Sequence, residues 1–199
     1  MMELLTFGDT GWGDELLLSM VMTILVSTSS LAFGLVIGTI FASFKLSNSY
    51  ILKTIAELYT TIIRGVPELL VIYLLFFGGS SAVMYVAKIF GHMGYIELSP
   101  FTIGTIAVGA ISGAYSTEVI RGAILAVPKG QFEAARTLGM KKYALSFTII
   151  FPQVARLALP GIGNVWQVTL KDTALISVTG LVEIMRQSKI AAGSTHEPF

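Results

Sequence analysis

From Leu16 to Phe44 the chain carries no charged residue. That is longer than the roughly 20 residues an α-helix needs to cross a hydrocarbon core about 30 Å thick. Three further apolar runs follow. One extends from Leu69 to Ala87, with its helix expected to begin near Ala56; another goes from Leu98 to Thr117 and onward past Glu118 and Arg121 toward Pro128. The last, Leu157 to Val182, is interrupted by Lys171 and Asp172. Strands of a membrane barrel would alternate with period two, whereas these runs are continuously apolar and read as helices. Only 13% of the 199 residues are charged and the mean hydropathy is +0.77, against about a quarter charged in soluble domains. The expected fold is all-α: a polytopic membrane helical bundle forming one domain over 1–199, with spans near 16–44, 56–87, 98–127 and 154–182.

Basic residues set the expected orientation. Lys45, Lys53 and Arg64 separate the first two spans, and Arg121, Lys129, Arg136, Lys141, Lys142 and Arg156 separate the last two. The other side has only Lys88 between spans, and Glu3, Asp9, Asp14 and Glu15 before the first span with no Lys or Arg. The positive-inside rule puts both basic loops in the cytoplasm and the N-terminus outside, with Arg186 and Lys189 running mildly against it. A secretory signal would begin with a basic stretch, so the first apolar segment is expected to remain as an anchor.

Several chemistries have no support. Cysteine is absent, and His92 and His196 lie far apart, so no metal-ligand spacing exists. A net charge of +1 gives no reason to expect nucleic acid. No GxxxxGK[S/T] loop occurs, so a phosphate cradle for ATP must lie on another polypeptide if ATP is used. Gly34 with Gly38, and Gly109 with Gly113, repeat at helical spacing and suit close helix packing.

Ionisable residues within spans are costly, by about 2.5–3.5 kcal/mol at a helix centre on insertion scales, and are therefore functional candidates. Glu118 and Asp172 are the two expected to face a shared polar cavity and hold a cationic solute, with Ser116, Thr117 and Thr173 adding hydroxyls. Bland readings stand beside this one. Glu118 with Arg121 makes an i,i+3 pair, Lys171 adjoins Asp172, and Arg64 with Glu68 fits an i,i+4 structural pair. Asp172 as the cap of a broken helix also stays open. Trp166 is expected to pack between helices.

The loop at 128–152, AVPKGQFEAARTLGMKKYALSFTIIFPQ in context, is expected to form a short helix over Gln131–Leu138, a turn at Gly139 and a second helix ending at Pro152. Glu133 should sit near the helix start, where the dipole favours a carboxylate, and Ala134 and Ala135 should give a low-relief surface. Physics alone leaves open an amphipathic connector lying on lipid.

Glu133-Ala134-Ala135, then Gly139, then Ile149, Phe151 and Pro152 resemble the EAA signature of bacterial ATP-binding-cassette importer permeases, with Phe151 where that pattern has Leu. IRGVPELL at 63–70 and GAYSTEVIRGAILAVPKGQFEAA at 113–135 are similar to polar amino acid permeases, and LPGIGNVWQVTLKDTALISVTGL at 159–181 resembles their histidine and opine branch. The resemblance covers nearly the whole chain. It implies an inner-membrane transport subunit for polar, basic amino acids or opines such as octopine and nopaline, without its own ATPase site or cofactor. ATP and Mg would be bound by a separate ATPase, present in two copies. That subunit would dock on Glu133, Ala134, Ala135, Gly139, Ile149 and Pro152. It further implies a second homologous permease or a second copy of this chain, an extracytoplasmic solute-binding protein, and a fifth span expected after Phe199. The alternative function is an ion-coupled secondary amino acid transporter using Glu118 and Asp172 as a relay, which leaves the loop without a role. A membrane scaffold without transport leaves the polar residues within spans unexplained.

Overall fold

The computed structural model describes residues 6–8, 11–90 and 99–196. Glu3, Asp9, His92, the expected start of the third span at Leu98 and the last residues of GSTHEPF lie outside the described residues. Helices dominate: α1 (Gly13–Leu46), α2 (Tyr50–Gly65), α3 (Glu68–Tyr73), α4 (Gly79–Ile89), α5 (Pro100–Ala126), α6 (Lys129–Thr137), α7 (Lys142–Ala144), α8 (Phe151–Asp172) and α9 (Ile184–Thr195). A π-helical turn, Leu74–Gly78, joins α3 to α4, and another, Leu145–Ile150, joins α7 to α8. Among the described residues four stretches are long and apolar enough to cross a bilayer: Gly13–Leu46, Glu68–Tyr85, Pro100–Ala126 and Lys142–Thr179.

The centre of the bundle is the seam between α1 and α5. Lipid chains are as apolar as leucine, so helices associate in a membrane through close packing and interhelical hydrogen bonds. The four glycines of the two pairs meet there. A Cβ on Gly38 would lie 2.7 Å from the Ser116 Cβ, and one on Gly109 would lie 2.7 Å from the Phe33 ring. Hydroxyls stitch the same seam: Ser30 donates to the Thr105 carbonyl at 3.2 Å, and Tyr59 of α2 donates to the Ala110 carbonyl at 2.5 Å. Val26, Ile72, Val108, Ile111 and Ile176 close an apolar core around it. Leu18, Leu25, Val36, Leu74 and Leu159 stay exposed on the outside, as lipid-facing positions should.

Three differences from the sequence reading have physical causes. The run expected as one helix from 56 to 87 is broken at Val66–Pro67, both in extended backbone. Proline has no N–H for the ladder and pushes the residue before it out of the helical region. The helix expected to end at Pro152 instead continues to Asp172. The wide π turn before it resets the register, so that Pro152 falls in the first turn of α8, where a missing N–H costs nothing. Trp166 is 41% exposed rather than packed between helices. The buried positions of α8 are Ala158, Val165, Thr169 and Asp172, and residue 166 points about 100° away from Val165.

After Asp172 the chain tightens into a 3-10 helix, Thr173–Thr179, and turns at Gly180 (φ 98°). Glu183, fully buried, caps α9 by accepting from the Met185 and Arg186 amides at 2.9 and 2.8 Å. Thr23 of α1 accepts from the Ile184 amide at 3.1 Å, which pins this end to the seam. Arg186 donates to the Ser177 carbonyl at 2.8 Å, closing the 3-10 turn.

Candidate functional site

The break at Val66–Pro67 opens a cleft. It encloses about 530 Å³ and is walled by Arg64, the 65–69 turn, Tyr115 and Leu175. Arg64 lies in the last turn of α2 and Glu68 begins α3, so the two charges occupy separate helix termini facing one space. The expected i,i+4 pair does not form: among the described residues no ion pair joins Arg64 and Glu68, because the helix that would bring them together is interrupted between them. The Arg64 guanidinium instead lies 5.5 Å from the centre of the Tyr115 ring, a cation–π contact. Tyr115 donates its hydroxyl to Glu68 Oε1 at 3.3 Å. Behind this group Asp172, only 6% exposed, approaches closely enough for its carboxyl to interact with that of Glu68. Asp172 stands behind Glu68 and does not line the cleft itself; one carboxylate, a phenol and a guanidinium thus converge on the cleft. Its volume lies in the few-hundred-Å³ range typical of small-molecule sites.

Asp172 and Glu118, the pair expected to share a cavity, belong to different clusters. Glu118 takes Lys45 Nζ on Oε1 at 2.5 Å and Arg121 on Oε2, with Nη2 at 2.9 Å and Nε at 3.0 Å. Lys45 also approaches Glu57 at 3.5 Å. The i,i+3 pairing of Glu118 with Arg121 is therefore present, with Lys45 of α1 added to it. Lys171 is exposed and makes no ion pair with Asp172 among the described residues, since neighbours on a helix point in different directions. Asp172 makes no side-chain capping hydrogen bond to the 3-10 helix that follows it.

The hydroxyl candidates lie in packing positions. Thr117 donates to the Gly113 carbonyl at 2.7 Å and Thr173 to the Leu170 carbonyl at 2.8 Å, both buried. Ser116 is buried at the seam against Gly38. None of the three lines either of the two clefts found here. Sequence reasoning named Arg64 and Glu68 but read them as a structural pair, and it missed Tyr115 as a wall of the cleft. The signal was Pro67, which forbids the continuous helix that the pair required.

At the basic end, α6 spans Lys129–Thr137, beginning two residues earlier than expected. Glu133 therefore sits in the second turn, beyond the reach of the helix N-terminus. Glu133 and Ala134 are exposed, but Ala135 is 1% exposed and faces inward, so only one of the two alanines contributes to the outer surface. The helix ends in a two-bond glycine turn: Gly139 N–H donates to the Arg136 carbonyl at 3.0 Å and Met140 N–H to the Ala135 carbonyl at 3.1 Å. Gly139 has φ of +70°, and a Cβ there would meet nothing within 4 Å. Leu138 at the tip is 79% exposed. Beyond it the rings of Tyr143, Phe147 and Phe151 follow one another at 4.5 and 6.3 Å. All three are more than half exposed. Ile149 and Pro152 lie in the π turn and the start of α8, further along this ridge.

A polytopic helical bundle with a charged cleft and an exposed basic connector is the architecture of a membrane protein of several spans. The comparisons narrow that class. Residues 34–193 match the family model described as binding-protein-dependent transport system inner membrane component, and the chain belongs to that family. It is 52% identical over 199 residues to a nopaline transport system permease protein of Agrobacterium fabrum, covering 100% of this chain and 84% of that protein. An octopine transport system permease protein of Rhizobium radiobacter is 51% identical over 197 residues, covering 99% and 83%. The histidine/lysine/arginine/ornithine transport system permease protein of Escherichia coli is 43% identical over 189 residues, covering 95% and 82%. A crystal structure of an amino acid ABC transporter with histidines superposes with a TM-score of 0.77 at 32% identity, covering 94% of this chain and 82% of that one. The protein is thus a multi-pass inner-membrane permease of the ABC importer class, and none of these matches supports the ion-coupled alternative.

Proposed function

We propose that the chain passes cationic amino acids or opines across the inner membrane, holding them in the cleft between Arg64 and Glu68. The observation that carries this reading is the convergence of Glu68, Tyr115 and Arg64 on one cleft, with the carboxyl of Asp172 behind Glu68. Two carboxyls in a low-dielectric span call for a cation, and a guanidinium or ammonium group supplies one. Arg64, without a carboxylate partner of its own among the described residues, is suited to the solute's α-carboxylate. The relatives named for nopaline, octopine and basic amino acids carry the same chemistry, a cationic group together with a carboxylate. Glu118, with both oxygens engaged by Lys45 and Arg121, is not part of this first site.

Transport is driven by a partner ATPase, in two copies, that holds ATP and Mg and docks on the ridge from Glu133 to Pro152. The glycine turn at 139 and the exposed ring series give that ridge a fixed shape and an apolar face. A second permease chain, homologous or identical, completes the pore. A solute-binding protein delivers cargo on the side of the N-terminus, which is outside by the distribution of basic residues.

The test is uptake by proteoliposomes holding the permease, ATPase and binding protein, together with direct solute binding to the purified permease complex. Labelled arginine, histidine, octopine and nopaline are compared. Removing one charge-assisted hydrogen bond by Glu68→Gln or Asp172→Asn costs about 1.5–3 kcal/mol, or about 10-fold to 150-fold in affinity. Uptake that ignores internal ATP, or solute affinity unchanged in both variants, refutes the reading.

A further inference from the structure

We propose that a second cleft, nearer the basic loops, is a release station at which the same solute rests before leaving; this builds on the reading of the first cleft. The second cleft encloses about 390 Å³, and its charged walls are Lys45 at the end of α1, Glu57 and Arg64 of α2, and Glu118 and Arg121 of α5. Arg64 and Gly65 line both spaces, so the clefts adjoin around a single guanidinium. On α5, Tyr115 belongs to the first cleft and Glu118 and Arg121 to the second. Six residues separate Tyr115 from Arg121, about 9 Å along a helix at about 1.5 Å per residue. A guanidinium pivoting on the long Arg64 side chain can follow a bound carboxylate over much of that step.

The bonding inventory shows which groups remain open. Glu118 is engaged on both oxygens, and its partner Lys45 is buried, with a side chain 6% exposed. That pair is a fixed wall. Glu57, in contrast, is 65% exposed, and its recorded ion-pair contact is the 3.5 Å approach to Lys45. Arg121 is 38% exposed and uses Nε and Nη2 on Glu118, leaving donors of its five over. Arg64 makes no ion pair among the described residues. One open carboxylate faces two guanidinium groups with donors to spare, which matches a molecule carrying one anionic and one cationic group. A purely structural clamp accounts for Lys45 with Glu118, but not for Arg64, which makes no ion pair among the described residues, nor for the exposed faces that Glu57 and Arg121 keep beside it. The solute's carboxylate passes from Arg64 toward Arg121, while its cationic group leaves Glu68 and Asp172 for Glu57.

Equilibrium dialysis of labelled arginine against the purified, nucleotide-free complex in nanodiscs tests this, at concentrations reaching the millimolar range. The expected saturation is two arginines per copy of this chain. Glu57→Gln lowers it by one, and so does Thr61→Phe, which fills the second cleft without touching an ion pair; either leaves the affinity of the remaining site within about twofold. Glu68→Gln removes the other arginine. If Glu68→Gln lowers saturation while Glu57→Gln and Thr61→Phe do not, the release station is refuted and the first cleft stands. If Glu68→Gln changes nothing, the reading of the first cleft has failed instead.

Discussion

Gly139 offers a graded test of the docking ridge. Its φ of +70° is a left-handed conformation, and nothing lies within 4 Å of where a Cβ would go. A side chain there meets no steric wall, so the whole cost of substitution is backbone strain. For an L residue that strain is about 1–2 kcal/mol. Alanine belongs at the lower end, β-branched valine at or above the upper, and asparagine, which adopts this region readily, well below alanine. Free in solution, the variant turn relaxes by releasing the bonds from Gly139 to Arg136 and from Met140 to Ala135. A partner that grips the left-handed turn must restore it, so the strain appears as lost affinity. At 1.4 kcal/mol per tenfold, Gly139→Ala weakens ATPase binding about 5-fold, Gly139→Val about 30-fold or more, and Gly139→Asn less than about 3-fold. Titrating purified ATPase onto nanodisc-held permease measures this, with membrane insertion checked by yield. Equal losses for alanine, asparagine and valine would show that surface shape, not the turn, matters. Wild-type affinity in Gly139→Val would remove the ridge from the interface.

Three other outcomes follow from the same geometry. Gly38→Val, whose Cβ would lie 2.7 Å from that of Ser116, overpacks the α1–α5 seam and lowers stability by about 1–3 kcal/mol. Gly122→Ala, with nothing within 4 Å, does not, and thermal melts of the detergent-purified protein compare the two. Glu183→Ala leaves the Met185 and Arg186 amides without their buried acceptor, a loss of about 1–3 kcal/mol; it shows as faster hydrogen exchange at the start of α9. A lone Cys at Lys141 reacts with a membrane-impermeant thiol reagent only after spheroplasts are lysed, whereas one at Asp9 reacts before lysis; the reverse pattern overturns the orientation.

The number of spans and the all-α class were legible because a bilayer leaves few options for an uncharged run such as Leu16 to Phe44. The seam was legible too, because glycines four apart have one strong physical use in a membrane. Charged residues were harder. Glu118 was singled out as a solute ligand because an ionisable residue within a span is expensive, although Arg121 at i,i+3 offered it a local partner. Its main partner, Lys45, lies 73 positions away in sequence, and no local pattern announces such a pair. Asp172 drew notice because it interrupts an apolar run, but its neighbour Glu68 is equally remote. Ser116 and Thr117 were drawn in by adjacency to Glu118, although adjacent helix positions face different ways.

Pro67 explains both the missed site and its chemistry. Read as one helix, the segment from Ala56 onward puts Arg64 and Glu68 a turn apart, where they neutralise one another and nothing is left for a solute. The proline makes them the last turn of α2 and the first residue of α3 instead. A cation at a helix C-terminus and an anion at a helix N-terminus are each favoured by the local dipole, by about 0.3–1 kcal/mol at exposed sites. The dipoles thus offset part of the cost of each charge standing without the other. The chain keeps a cation and an anion across one cleft with no ion pair between them among the described residues, and on the proposed reading a zwitterion with an extra cationic group completes that arrangement. The same break leaves Val66 and Pro67 without helical geometry directly after Gly65, which lines both clefts, and irregular backbone is tolerated where it lines a cavity. On the proposed reading, recognition of the two ends of the solute and the junction of the two clefts both trace to one proline.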